Sequence, residues 1–288
     1  MFQVELLAVG LVQGAMYAMM ALGLTLVYGL LRILHIAHAA LFTLGAYAGV
    51  TAANSGLPIL AAVALAIIVG AIAGPLVYQF IYKPLLPKPP YVALIASIGL
   101  LIALEDSFRL IFGPYGLSFD HNPWFVAGWN FGGIYLNAIQ ITIGVCAIVL
   151  IGALAYFASH TRMGVAWRAT VTDPAMAETF GVNPNTIRIM NFAIASILAA
   201  IAGVLVALLN NLVEPGMGAI ISYKGLAIIV LGGLGNVPGT LAAALLLGVA
   251  ESFGQTYLDH FLDRDAIAFL VLIVVLMVRP QGLFSRGQ

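Results

Sequence analysis

A helix rises about 1.5 Å per residue, so crossing roughly 30 Å of hydrocarbon takes about 20 apolar residues. Apolar stretches of about that length follow one another along nearly the whole sequence, at residues 6–31, 33–53, 57–81, 91–112, 138–158, 187–212, 226–250 and, shorter, 266–278. In lipid a segment must satisfy its backbone polar groups internally, which favours helices. The expected fold is therefore all-α, a polytopic transmembrane helix bundle of about 8–9 spans. Residues 1–288 read as a single transmembrane domain, with 159–188 a cytoplasmic loop inside it. The balance of residues excludes a water-solvated surface: 62% are hydrophobic and 8% charged, against about 45–50% and about 25% in ordinary soluble domains.

Charge excludes further classes. Eleven basic residues balance eleven acidic ones, so there is no basic stripe for nucleic acid. Cys146 is the only cysteine, which leaves no disulfide framework and no Cys-rich metal site. The opening residues Met1–Glu5 carry no positive charge and no small-residue cleavage site follows, so the run from residue 6 is expected to be a retained first span.

Lys and Arg orient the spans, because they favour cytoplasmic loops. Lys83 and Lys88 mark one such loop, Arg162, Arg168 and Arg188 a second, and Arg279 and Arg286 the C-terminal end. Loop 112–137 has Asp120 and no Lys or Arg, with Tyr115, Trp124, Trp129 and Tyr135 suited to a membrane interface. Residues 251–265 hold Glu251, Asp259, Asp263 and Asp265 against Arg264. Glu214 and the 251–265 segment cannot both lie outside if 226–250 crosses once. That run is interrupted at residues 232–239, so either one kinked helix or two short arms is open. The charge count favours a re-entrant or hairpin path, with its loop near the cytoplasm and the N-terminus outside. Small residues four apart, at Gly10/Gly14, Gly45/Gly49 and Gly70/Gly74, suit close helix packing or a moving pore contact.

No phosphate loop, zinc-protease pair or nucleophile elbow is present. The chain is expected not to be an enzyme, and any ATP it depends on must be bound by another chain. The most informative segment is the loop 159–188. Thr172 or Asp173 can N-cap a short helix with Pro174 at its first position. Ala175, Met176, Ala177, Glu178, Thr179 and Phe180 continue it, and Gly181 ends it. Such a capped helix of about two turns, with Met176 and Phe180 on one face, either lies on lipid or docks a cytoplasmic partner.

Asp173-x-x-Met-Ala-x-x-x-Gly-Val-Asn183, after Met163-Gly-x-x-x-Arg-Ala169, resembles the cytoplasmic loop of the branched-chain amino acid ABC transporter permeases of the H-type Liv group. In the same order, Gly23-Leu-Thr-Leu-Val-Tyr-Gly29, Ala37-His38, Gly45-Ala-Tyr47, the Gly-rich stretch 230–239 and Pro280-x-Gly-Leu283 resemble other family segments. The resemblance covers nearly the whole chain. It implies a permease for branched-chain or other hydrophobic amino acids in the bacterial inner (plasma) membrane. It implies as partners a second permease subunit, two ATP-binding subunits that carry the ATP and Mg, and a periplasmic amino-acid-binding protein, with no cofactor on this chain. It also implies that the short helix and its flanks, Arg168, Asp173, Met176, Ala177, Glu178, Phe180 and Gly181, couple to the ATPase. Where the family usually shows Asn-Phe-Ala-His-Gly, this chain has His35-Ile-Ala-His-Ala39, and loss of that glycine removes backbone freedom.

Among individual residues, His35 and His38 lie three apart and are either structural or pathway-lining; a metal site would need further ligands. Gly232, Gly233 and Asn236 either form a plain turn or expose backbone groups to a pathway. Glu105 and Arg109 are spaced to pair, and Glu251 reads as interfacial. An ABC permease for urea or short amides, and an ion-coupled secondary carrier or channel, are the alternative readings.

Overall fold

The computed structural model describes residues 2–120, 127–131, 134–258, 264–279 and 282–283. Trp124, Asp259, Asp263, Pro280 and Arg286 lie outside the described residues. The chain is mostly helical: α1 (Phe2–Leu31), α2 (His38–Asn54), α3 (Ile59–Val77) running through a π-helical turn (Tyr78–Tyr82) into α4 (Lys83–Leu85), α5 (Pro90–Phe112), α6 (Ala138–His160), α7 (Arg162–Thr172), α8 (Pro174–Thr179), α9 (Pro184–Asn210), α10 (Met217–Gly232), α11 (Val237–Leu258) and α12 (Arg264–Val278). Six of these are long and apolar enough to cross a membrane: α1, α3 with its extension, α5, α6, α9 and α11. The helices α10 and α12 are apolar but shorter.

Burial separates a centre from a rim. The most apolar windows of α1 and α9 are 67% and 78% buried, while those of α5 and α6 are 17% and 11% buried. The rim helices therefore turn Ile95, Ile102, Ile148 and Val149 outward, as helices bathed in lipid do. The centre is held by close backbone approach. A methyl group on Gly14 would lie 2.7 Å from the Leu245 Cα of α11, and one on Gly10 would lie 2.7 Å from the Val249 Cα. Likewise Gly45 and Gly49 of α2 face Ala200 and Val204 of α9, and Gly70 and Gly74 of α3 face Ser196. All three glycine pairs read from the sequence thus sit at helix contacts. Backbones this close gain dispersion contacts where lipid offers no hydrophobic drive.

Several boundaries differ from those the apolar runs suggest. The second run begins at residue 33, but the helix starts at His38, because Arg32 takes a left-handed conformation at φ 53° and ends α1. The hydroxyl of Ser97 accepts from the Ala37 N–H at 2.9 Å, supplying a partner to irregular backbone that lipid could not. The π-turn follows Pro75, which lies inside α3. A proline removes a helix donor, and π-turns absorb the resulting irregularity. The turn aims both Tyr78 and Tyr82 into the core against Phe192.

The run 226–250 is two arms, not one kinked helix. It parts at Gly233 and Gly235, both at positive φ, and α10 starts at Met217, nine residues before the apolar run. Nor is the structure wholly helical. Strands β1 (Gly128–Phe131) and β2 (Ile134–Asn137) form an antiparallel hairpin with Trp129 opposite Leu136. Asn137 then caps α6 in a reciprocal capping box with Gln140, a signal present in the sequence at the correct spacing.

Segments distant in sequence meet at each end of the bundle. Trp167 of α7 and Val237 of the α10–α11 turn pack in one cluster. The Leu283 N–H donates to the Leu231 carbonyl at 2.7 Å, so the C-terminal residues join the same end. At the opposite end Leu117 bridges Val213, and Ser252 donates to the carbonyl of Leu6 at 2.8 Å. Replacing Gly14 with Leu is expected to lower stability by about 1–3 kcal/mol through overpacking. Gly144→Leu, at a glycine with nothing within 4 Å, is expected to leave it unchanged; thermal unfolding of both variants in detergent checks this.

Candidate functional site

The loop between α6 and α9 folds as two helices rather than one. The upstream helix α7 begins where the Thr161 hydroxyl caps the Gly164 N–H at 2.9 Å. Arg168, on α7, donates to the carbonyl of Ala158, which ties α7 back to the end of α6. Asp173 is the cap of α8: its Oδ1 accepts from the N–H groups of Ala175 and Met176, both at 3.0 Å. The helix proper has six residues and stops at Thr179. Phe180 is its C-cap rather than its last turn, and Gly181 follows at φ 82°.

Side-chain exposure on α8 is sharply divided. Ala177 is 3% exposed and faces inward, whereas Met176 is 55% and Phe180 81% exposed. Asp173, Glu178 and Gly181 are exposed as well. A large aromatic and a thioether held on a capped, outward-facing element form an apolar contact surface flanked by acids. The elements expected to act together are thus brought together, except that Arg168 serves the neighbouring helix.

His35 and His38 also meet, their rings 5.7 Å apart in an edge contact. Both are buried, at 2% and 0% exposed. His35 Nδ1 and the Tyr82 hydroxyl are 2.6 Å apart, and the His35 ring lies 5.4 Å from that of Phe192. The His38 ring fills the space that Gly23 leaves open, since a methyl there would lie 2.7 Å from Cε1. The pair thus packs the seam where α1 gives way to α2. Among the described residues no group of three or more His, Cys, Asp or Glu could hold a metal ion.

Gly232, Gly233 and Asn236 stand apart from the histidines and build the α10–α11 turn. A methyl on Gly232 would meet the Thr240 N–H at 2.5 Å, Gly233 adopts φ 92°, and Asn236 Oδ1 accepts from the Gly239 N–H at 3.2 Å. Every one of these features closes a tight helical hairpin. In α5, Arg109 pairs with Asp106 at 2.8 Å, three residues back, instead of with Glu105. Both partners are more than half exposed, so the pair contributes at most about 1 kcal/mol.

The chief polar centre of the bundle is one the sequence reading passed over. Glu251 is not interfacial: it is fully buried in α11 and pairs with Lys224 of α10, Nζ to Oε1, at 3.0 Å. Its other oxygen accepts from the Tyr17 hydroxyl at 2.6 Å and from Gln13 Nε2 at 3.1 Å. Lys224 Nζ also donates to the Tyr17 oxygen at 3.1 Å. The apolar run from residue 226 begins two residues after Lys224, whereas the helix begins at Met217. The missed signal was a lone lysine in one apolar helix and a lone glutamate in the next, both functional suspects inside a membrane. Beside this cluster, where α1, α2, α9 and α10 converge, lies a cavity of about 260 Å³. Its walls include Met16, Phe42 and Ile221, and its polar groups include Tyr17, Glu214 and Lys224.

The helical bundle thus combines a buried ionic centre, a lined cavity and an outward-facing capped helix, and comparison with known proteins gives its class, a membrane transport permease. The chain belongs to the family described as branched-chain amino acid transport system / permease component, whose sequence model matches residues 6–278. It is 34% identical to the high-affinity branched-chain amino acid transport system permease protein BraD of Pseudomonas aeruginosa, over 97% of this chain and 94% of that one. It is 30% identical to LivH of Escherichia coli K12, again over 97% and 94%. LivM of Salmonella typhimurium is 27% identical over 93% of this chain and 67% of its own.

Removing one member of a buried ion pair strands the other, at a cost of about 3–5 kcal/mol. Glu251→Leu alone is expected to destabilise by that order, while the double variant Glu251→Leu with Lys224→Met is expected to recover much of the loss. A double-mutant cycle on thermal unfolding in detergent reads the difference.

Proposed function

We propose that this chain is the membrane-spanning permease subunit of an ABC importer that moves branched-chain or other hydrophobic amino acids into the cytoplasm. ATP and Mg act on two ATP-binding partner subunits, a second permease chain completes the pathway, and a periplasmic amino-acid-binding protein delivers the substrate. The observation that carries this reading is the likeness to BraD and LivH along 97% of the chain. In this reading α2 and α10, the latter paired with α11, join the six longer helices to give eight membrane passages, and α12 gives a ninth. The loop-bearing end with α7 and α8 faces the cytoplasm of a bacterial inner membrane.

Within that assembly α8 is the coupling helix. Met176 and Phe180 seat in an apolar groove of the ATPase, and Asp173 and Gly181 fix the two ends of the element. The chain forms and breaks no covalent bond, and its work is to present a pathway and to pass on motion. Coupling needs a stiff contact element, which the Asp173 cap supplies by holding the backbone donors of the first turn.

The test is uptake of radiolabelled leucine by proteoliposomes holding the chain with its partner subunits and binding protein. Uptake is expected to require ATP and every partner, and Phe180→Asp is expected to abolish it without unfolding the chain, since Phe180 is exposed. Asp173→Ala, which removes a cap worth about 1 kcal/mol, is expected to lower uptake partially. Uptake by the chain alone on an ion gradient would instead mark the Lys224–Glu251 pair as part of an ion-coupled carrier.

A further inference from the structure

The cavity beside the buried ion pair has a composition that selects one kind of ligand. Lys224 and Glu214 bring opposite charges into it, Tyr17 and Asn210 add neutral polar groups, and Met16, Phe42 and Ile221 are apolar. Glu214 lies in the segment before α10 and Lys224 lies on it. From Met217 to Lys224 is about two turns, roughly 10 Å of rise, yet both side chains line one cavity. Pockets that bind small molecules are mostly apolar with a few placed polar groups. Here the two charges are of opposite sign.

We propose that this cavity binds a free zwitterionic amino acid with an apolar side chain, as a membrane-embedded substrate site of the permease. The substrate carboxylate binds Lys224 Nζ, its ammonium binds Glu214, and its side chain lies against Met16, Phe42 and Ile221. The buried network accommodates this without stranding a charge. The carboxylate takes the place that the Tyr17 hydroxyl oxygen holds on Lys224. Tyr17 keeps Gln13 as a donor and Glu251 as its acceptor. Glu251 keeps its hydrogen bonds from Gln13 and Tyr17 together with its ion pair. A cavity of about 260 Å³ suits one amino acid. The inference rests on the importer reading, and it locates discrimination in this chain as well as in a binding protein.

Binding of radiolabelled L-leucine to the full chain in lipid nanodiscs tests it, with leucinamide (no carboxylate) and 4-methylpentanoate (no ammonium) as competitors. Unlabelled leucine is expected to compete, and each single-charge analogue to compete about tenfold more weakly or worse, the cost of one charge-assisted hydrogen bond. Glu214→Gln, at an exposed position that leaves the fold intact, is expected to weaken leucine by a similar factor and to leave 4-methylpentanoate unchanged. Equal competition by all three ligands, or unaltered leucine binding in Glu214→Gln, overturns the proposal. So does an absence of saturable leucine binding while the complete importer still shows ATP-driven uptake, and the permease reading then survives. Saturable binding without ATP-driven uptake keeps the site and overturns the importer.

Discussion

Hydrocarbon holds no water to receive an unpaired peptide group. Every place where this backbone leaves the helix must therefore be sealed by something the chain itself provides, and the bundle is organised around those seals. The α1–α2 break is closed by the Ser97 hydroxyl on Ala37 and by the His35–Tyr82 contact. At the α10–α11 turn, Asn236 and the Leu283 N–H take up exposed groups. The Ser97, Tyr82 and Leu283 seals reach in from distant parts of the chain, so each of them also fixes a tertiary contact. Close glycine contacts between α1 and α11, and between α9 and its neighbours, bring those sealing residues within reach.

The same constraint explains what could be read in the sequence. Apolar run length located α3, α5, α6 and α9 to within a few residues, because a membrane helix is a matter of composition over about 20 residues. Asp173 and Gly181 were legible as caps because local side-chain chemistry decides them. Composition is blind to breaks, however. Residues 33–37 are largely apolar, and only the left-handed Arg32 and a partner on α5 show that the chain leaves the helix there. The hairpin from Gly128 to Asn137 was hidden for the opposite reason: its interfacial aromatics read as a loop, and its pairing is a contact between residues, not a property of either strand.

The polar centre was obscured by its pairing. Lys224 falls just outside the apolar run that starts at residue 226, and Glu251, at the edge of that run, reads as interfacial. Only when α10 begins at Met217 do the two fall at one depth between adjacent helices. Charge so deeply buried is weak evidence of stability, because its desolvation cost offsets its attraction. Lys224 and Tyr17 of this cluster also line the cavity. The histidines, which attracted notice in the sequence, pack where α1 gives way to α2, and the Gly-rich stretch forms the α10–α11 turn.

The joint between α8 and α9 carries a mechanical consequence. The Val182 N–H donates to the Ala177 carbonyl at 3.1 Å, and Asn183 caps α9 through the Asn185 N–H at 3.0 Å. A short exposed helix is thereby clamped to the foot of a rod of 27 residues, roughly 40 Å long. The far tip of that rod, at Val206, Leu209 and Asn210, is a wall of the cavity. Along its middle and second half α9 is packed against α2 and α3 at Ser196, Ala200 and Val204, so one continuous helix joins the exposed α8 to a wall of the cavity at the far end of the bundle.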